Sequence, residues 1–208
     1  MTEHEYMKLI QPYEDACKTL QNKLCALNHM LYGDSQVKPI HNIYSRIKEK
    51  SSIELKLLRK EKETTIIDAK KYLQDIAGIR VITYFIDDIY SLVATLKQQH
   101  DIKIIEEIDY IENPKENGYR SYHVVIEVPV YQLNKLEYVP VEVQLRTLSM
   151  DFWACMEHRI LYKKEGILSD AEYKEKKMAS YAEQLFGIER QMKRLNDTTN
   201  SQIHKEEI

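Results

Sequence analysis

The chain has 208 residues, with 30 Lys plus Arg against 33 Asp plus Glu and a formal net charge of -3. Its 43% hydrophobic and 30% charged residues describe a folding chain, not a disordered one, and the near balance of charge excludes a protein given over to blanket phosphate-backbone binding. No apolar run approaches the length of a membrane span, the start carries no export signal, and three cysteines (Cys17, Cys25, Cys155) suit a reducing cytoplasm.

In chain order, Leu9, Tyr13, Ala16, Leu20, Leu24, Leu27 and Leu31 recur at steps of three and four and predict a helix over 3–31. The Gly33–Pro39 stretch breaks it. A second helix is expected over 42–60 and a third ending near Asp75, with Gly78 placed to terminate it. Residues 79–86 are rich in β-branched and aromatic side chains and read as a strand, after which Asp87 is expected to cap a helix to about His100. Strands are expected over 102–111 and 121–130, separated by a turn over 113–118, and again over 139–146. Helices over 148–164, ended by Gly166, and over 170–196 follow, then a polar tail. The order fits an α/β or α+β sheet wrapped by helices.

Five scattered glycines make neither GxGxxG nor a P-loop, so any nucleotide phosphate must be held by side chains. There is no CxxC and no HExxH, which excludes the common zinc sites. On a helix over 42–60, Lys48, Ser52, Lys56 and Arg59 would fall within an arc of about 80°. That stripe could hold a triphosphate, or be a solvated face. VEVQLRT (141–147) alternates: Val141, Val143 and Leu145 point one way, Glu142, Gln144 and Arg146 the other. The polar row could line a cleft, or simply be the wet side of a sheet. Asp75 and Glu142, on separate elements, are the minimum set of carboxylates that could seat Mg²⁺ beside phosphates. In NPKENGYRSYH (113–123), Tyr119 leaves a tight turn beside cations and His123, which suits either stacking on a base or packing on the core. His158 alone reads as a core or capping histidine, and the cysteines suggest no function. Met178, Tyr181, Leu185, Ile188, Met192 and Leu195 repeat at 3, 4, 3, 4, 3, the rhythm of a helix packing on another helix.

In order, the basic run Arg46–Lys60, DIAGIRV, NPKENGYRSYH, VEVQLRT and DFWACMEH resemble the synthetase domain of the RelA/SpoT family, and specifically the small alarmone synthetases. The resemblance spans about residues 40–165. It implies a nucleotidyltransferase-like mixed sheet (1–40 a helical extension, 41–165 the synthetase domain, 166–208 an oligomerisation helix and tail). The reaction implied is transfer of the β,γ-pyrophosphate of ATP to the ribose 3′-OH of GDP or GTP. Asp75 matches the family's Mg²⁺ carboxylate, and Glu142 the second acid, which serves metal and 3′-OH. Arg46, Lys48, Ser52, Lys56 and Arg59 match ATP-phosphate or adenine contacts, and Arg80 is similar to an arginine packed on adenine. Tyr119 matches the residue that stacks on guanine, with Lys115, Arg120, His123 and Gln144 on the acceptor side.

The long members' hydrolase and regulatory domains have no room here, so a synthesis-only enzyme is implied. So is a cytoplasmic homotetramer with neither membrane nor nucleic acid as partner. One branch binds its product between subunits through lysines of the first helix and an aromatic and a threonine before the ATP-contact arginine. Gln21, Cys25, Asn42 and Tyr44 stand there instead, so product activation of that kind is not expected. Two other readings stay open: transfer to an adenine nucleotide or a tRNA end, and a nucleotide- or RNA-binding module without catalysis.

Overall fold

The computed structural model describes residues 1–30, 38–133, 135–161 and 168–206, without the side chains of 168–171 and 198–206. Five strands form one sheet: β1 (Ile40–Ile47), β2 (Ala77–Thr83), β3 (Lys103–Asp109), β4 (Tyr122–Gln132) and β5 (Lys135–Thr147). Their spatial order is β1-β2-β5-β4-β3, with β2 and β5 parallel and every other pair antiparallel. The helices are α1 (Glu3–Met30), α2 (Lys50–Arg59), α3 (Ile66–Tyr72), α4 (Ile86–Lys97), α5 (Leu148–Leu161) and α6 (Leu168–Glu206).

The period-two alternation of the central strands divides the sheet into a dry face and a polar one. Ile79, Val81, Val124, Ile126, Val141 and Val143 are buried beneath Leu9, Tyr13, Leu20 and Leu24 of α1 and Ile89, Leu92 and Leu96 of α4. The first helix is therefore part of the main core. Arg80, Glu142, Gln144 and Arg146 lie on the opposite face, and α5 packs against β2 and β5. α6 packs on α5, burying Met178 and Ala182 against Trp153.

The expected helix over 42–60 is instead a strand followed by a short helix. Ile40, Ile43 and Ile47 mimic a helical face, but they lie on β1, an edge strand bonded only to β2. With one side of the strand unpaired and most of it exposed, no clean alternation is imposed. Lys48 N donates to Ile76 O (2.9 Å), carrying the pairing one step beyond the strand, and Glu49, still extended, precedes α2. α3 ends at Tyr72, and Gly78 stands inside β2, where it terminates no helix. Asp88, not Asp87, caps α4, accepting from Phe85 N at 3.0 Å, while Asp87 faces Lys193 at 3.1 Å. α6 continues helical through 197–206, read above as tail, and Gly166 lies outside the described residues.

α2 closes in a Schellman motif: Lys62 N donates to Leu57 O (3.0 Å) and Glu61 N to Leu58 O (2.9 Å). Glu61 takes φ 57 to do so, a left-handed conformation that costs a residue with a Cβ. Glu61→Gly is expected to stabilise the fold by about 1 kcal/mol, raising Tm by roughly 2–4 °C in a thermal melt. An unchanged or lower Tm would contradict the assignment of strain to this position.

Candidate active site

The register of three adjacent strands builds the site. Gly78 pairs with Arg46 on one side and Glu142 on the other. A Cβ at Gly78 would meet only ordinary contacts, Glu142 O at 3.8 Å and Arg46 O at 3.9 Å, so the glycine is not there to relieve strain. Its consequence is a bare floor between an arginine and a carboxylate. Above it opens a cleft of about 450 Å³, lined by Tyr44, Ser45 and Arg46 of β1, Gly78, Ile79 and Arg80 of β2, and Glu142, Gln144 and Arg146 of β5. That volume is ordinary for a small-molecule site.

At one end, where β1 leaves and β2 begins, Lys48 and Lys56 both bind Asp75 Oδ2, Lys56 at 2.6 Å. Burial opposes ionisation of Asp75, but the two ammonium groups outweigh it and hold the carboxyl below its usual range. Its other oxygen, Oδ1, is buried without a hydrogen-bond partner among the described residues. Three residues of chain at about 3.3 Å and one strand step of about 4.8 Å from Gly78 to Glu142 put the Asp75 and Glu142 Cα atoms no more than roughly 15 Å apart. Ser52, Lys56 and Arg59 keep the helical spacing expected of them, now on α2, with Lys48 two residues before it. Arg46 and Arg59 are exposed and unpaired among the described residues.

Along β5 the polar row is linked end to end. Gln144 Nε2 donates to Glu142 Oε2 (3.0 Å), and Arg146 Nη2 donates to Gln144 Oε1 (3.2 Å). Arg146, 6% exposed, also donates to the Tyr119 hydroxyl (2.9 Å) and through Nη1 to Asp151 (3.1 Å), which Arg80 shares at 3.3 Å. With Arg146 as donor, the Tyr119 proton is left for His123 Nε2, 2.8 Å away. Burial first, then Arg146 and Lys115, push the His123 pKa down to about 4, so the ring is neutral and can accept that proton. Its Nδ1 then carries the hydrogen and faces Glu142 Oε1 at 3.9 Å. This is a contact between a neutral ring and a carboxylate, not an ion pair.

The turn bearing Tyr119 closes through Gly118 N to Lys115 O (2.8 Å), with Gly118 at φ 90. Lys115 Nζ lies over the rings of Tyr110 (4.7 Å) and Tyr119 (5.0 Å). Arg120 does not line the cleft: its guanidinium is turned onto α6, donating to Glu183 at 2.7 Å. His158 is exposed in the last turn of α5, so it is not a core histidine; the position is one where a basic side chain meets the helix C-terminus. Of the expected site residues, the structure joins Tyr119, His123, Glu142 and Gln144 in one network and Lys48, Lys56 and Asp75 in another.

Residues 45–167 match the region found in RelA / SpoT proteins. The GTP pyrophosphokinase YwaC of Bacillus subtilis is 45% identical over 154 residues, which are 73% of this chain and 72% of YwaC. The chain belongs to the RelA/SpoT family. Its structure is similar to small alarmone synthetase 1 from Bacillus subtilis bound to its product pppGpp, with a TM-score of 0.83 at 30% identity over 94% of this chain and 98% of that one. For that synthetase bound to AMPCPP the TM-score is 0.74 at 27% identity, covering 92% and 97%. The mixed sheet wrapped by helices is thus the α+β fold of RelA/SpoT synthetases.

Sequence reasoning placed Arg146 in the polar row that lines the cleft but gave it no role, yet it is the hub. Asp151, in the quoted DFWACMEH helix, is the carboxylate that gathers Arg146 and Arg80. The alternation of VEVQLRT and an acid in the first turn of the following helix were the available signals.

The donors present fit a hard divalent cation. Asp75 is anionic with one buried oxygen unused, and Glu142 offers a carboxylate at the cleft floor. No group of three or more His, Cys, Asp or Glu among the described residues could hold a metal, so most ligands would come from substrate and water.

Native His123 stays neutral down to about pH 4, whereas an unfolded histidine protonates near 6.5, so unfolding takes up a proton between those values. Stability tied to the neutral ring is present above pH 6.5 and lost as pH falls toward 4. In chelator-treated protein, wild type is expected to lose more Tm than His123→Gln between pH 7 and 4.5. Parallel curves would show that His123 titrates normally.

Proposed function

We propose that this chain is a GTP pyrophosphokinase. It moves the β,γ-pyrophosphate of ATP onto the ribose 3′-OH of GDP or GTP, giving ppGpp or pppGpp and AMP. The observation that carries this reading is the unbroken side-chain connection from Glu142 through Gln144 and Arg146 to Tyr119, with His123 closing it. It ties a base at the cleft floor to the aromatic ring on which the acceptor base stacks.

In this reading Glu142 takes the proton of the 3′-OH as the O3′–Pβ bond forms and the Pα–O–Pβ bridge breaks, the bridging oxygen leaving with AMP. Arg46 and Arg80 bind the donor nucleotide, with Ser52 and Arg59 further along the same side. Lys48 and Lys56 hold Asp75 in place and turn to the triphosphate when it arrives. Asp75 and Glu142 are the residues that would hold Mg²⁺, which would supply neutralisation of phosphate charge when bound. Lys115 moves off the Tyr119 ring to let guanine stack and meets the acceptor's phosphates. Two arginines converging on Asp151 and two lysines on Asp75 favour in-line positioning over covalent chemistry.

The protein assembles as a homotetramer through its terminal helices. Phe152, Met156, Tyr181 and Ile188 are exposed along an apolar groove of about 340 Å³ between α5 and α6, and Met192 and Leu195 extend the stripe. No described helix is long and apolar enough to cross a membrane, and the free thiols Cys17, Cys25 and Cys155 suit the cytoplasm.

Incubation with γ-³²P-ATP, Mg²⁺ and each of GMP, GDP, GTP and AMP is expected to label GDP and GTP products. Label on AMP instead would favour the adenine-nucleotide reading. Glu142→Gln should lower kcat by about 10²–10⁴-fold with Tm preserved, and retained activity would remove Glu142 from its role. For assembly, sedimentation velocity at micromolar concentration should give a tetramer that Tyr181→Glu with Ile188→Glu breaks down. A wild-type monomer would reject the subunit contact.

A further inference from the structure

We infer that α6 is a positioning element of the acceptor side, and that Arg120 and Glu183 form the joint through which it sets Tyr119. This rests on the reading of Tyr119 as the residue that stacks on the acceptor base.

Three contacts bring α6 to the turn. The first is backbone proximity: a Cβ on Gly118 would lie 2.7 Å from Ala182 Cβ and 3.0 Å from Ala179 Cα, so α6 leaves room for nothing larger than glycine. The second is electrostatic. Arg120 is 8% exposed, donates to Glu183 at 2.7 Å, and sits 4.4 Å from the ring centroid of Phe186. Gly118 and Arg120 are the chain neighbours of Tyr119, so the tyrosine backbone is gripped on both sides by one helix. The third lies behind the ring. Trp153, 6.4 Å from Tyr119 between ring centroids, donates from Nε1 to Met178 O at 2.8 Å.

A further tie reaches the partner of the Tyr119 hydroxyl. Glu189 of α6 accepts from Thr147, the residue after Arg146, at 2.6 Å and from Ser149 two residues further on. Displacing α6 would therefore disturb both the backbone that carries Tyr119 and the strand end that carries its guanidinium partner. On the donor side Lys48 and Lys56 both bind Asp75, and the ties that are seen run to α1, where the Tyr6 hydroxyl donates to Lys48 O at 3.1 Å and Glu3 pairs with Lys50 at 3.1 Å. Arg120 is accordingly a positioning residue, not a ligand of the nucleotide. Because the Glu183 side chain is 63% exposed, the joint can be opened without cutting into a core.

Glu183→Gln, which keeps the hydrogen-bonding shape but removes the charge facing a buried guanidinium, is expected to raise the KM for GDP about tenfold. The KM for ATP should stay within about twofold, and Glu183→Asp should recover most of the loss. Tyr119→Ala alone should also raise the GDP KM, and Tyr119→Ala with Glu183→Gln should be no worse than Tyr119→Ala by itself. Trp153 is the only tryptophan, so its fluorescence follows GDP binding without ATP and gives the same ranking free of turnover. Equal rises for both substrates, or additive effects in the double variant, would overturn the joint while leaving Tyr119 in its role. A normal GDP KM in Tyr119→Ala would overturn the acceptor reading itself, and this inference with it.

Discussion

The parallel pairing of β2 with β5 at the centre of the sheet sets the terms for everything else. With Ile79, Val81, Val141 and Val143 committed to the core under α1, the pleat forces Arg80, Glu142, Gln144 and Arg146 together on the other side. Half-buried polar groups in that position are costly unless they satisfy one another. They do so in sequence, carboxylate to amide to guanidinium, with Tyr119, His123 and Asp151 taking up the remaining valences. Had the register slipped by one residue, Val143 would face the cleft and Glu142 the core.

Where that mutual satisfaction stops is informative. Among the described residues Asp75 Oδ1, Arg80 Nε and Arg146 Nε are buried without partners, as are Arg120 Nε and Nη1 and Glu189 Oε1 at the contact with α6, each an expense of about 1–3 kcal/mol. The cleft also carries a charge surplus: Arg46, Arg80, Arg146, Lys48 and Lys56 stand against Asp75, Glu142 and Asp151, five cations to three anions. In a chain whose net charge is -3, that surplus is concentrated around one cleft, where low-dielectric walls focus the field on an anionic ligand.

Much of this was legible in the sequence, for identifiable reasons. VEVQLRT shows its two faces because a central strand must alternate, and the turn before Tyr119 shows itself through Gly118, whose φ of 90 only glycine adopts freely. β1 was misread because an edge strand with one exposed side is under no such discipline, and its isoleucines fell by chance at helical intervals. Spacing gave the kinds of residue in the donor cluster but not that Lys48 and Lys56 would meet on a single oxygen of Asp75, since that depends on how α2 is set down beside β2. Arg120 shows the limit from the other side. A motif reports which residues travel together, not which way each one turns.

The repeat in α6 was real but contained two stripes. At 100° per residue, Ala179, Ala182, Glu183 and Phe186, which face the Tyr119 turn or Arg120, centre about 160° around the helix from Tyr181, Ile188, Met192 and Leu195. The first group is engaged within the chain, and the second stands exposed. Met178 and Leu185 lie between them and pack on Trp153. One continuous helix thus keeps one face on the acceptor turn and leaves the opposite face largely exposed to solvent. Ala182 and Glu183 directly follow Tyr181 in the chain, so the outer stripe and the joint with the Tyr119 turn share one stretch of helix. This gives a physical reason for the same helix to carry both the apolar stripe and the ion pair that holds Tyr119 in place.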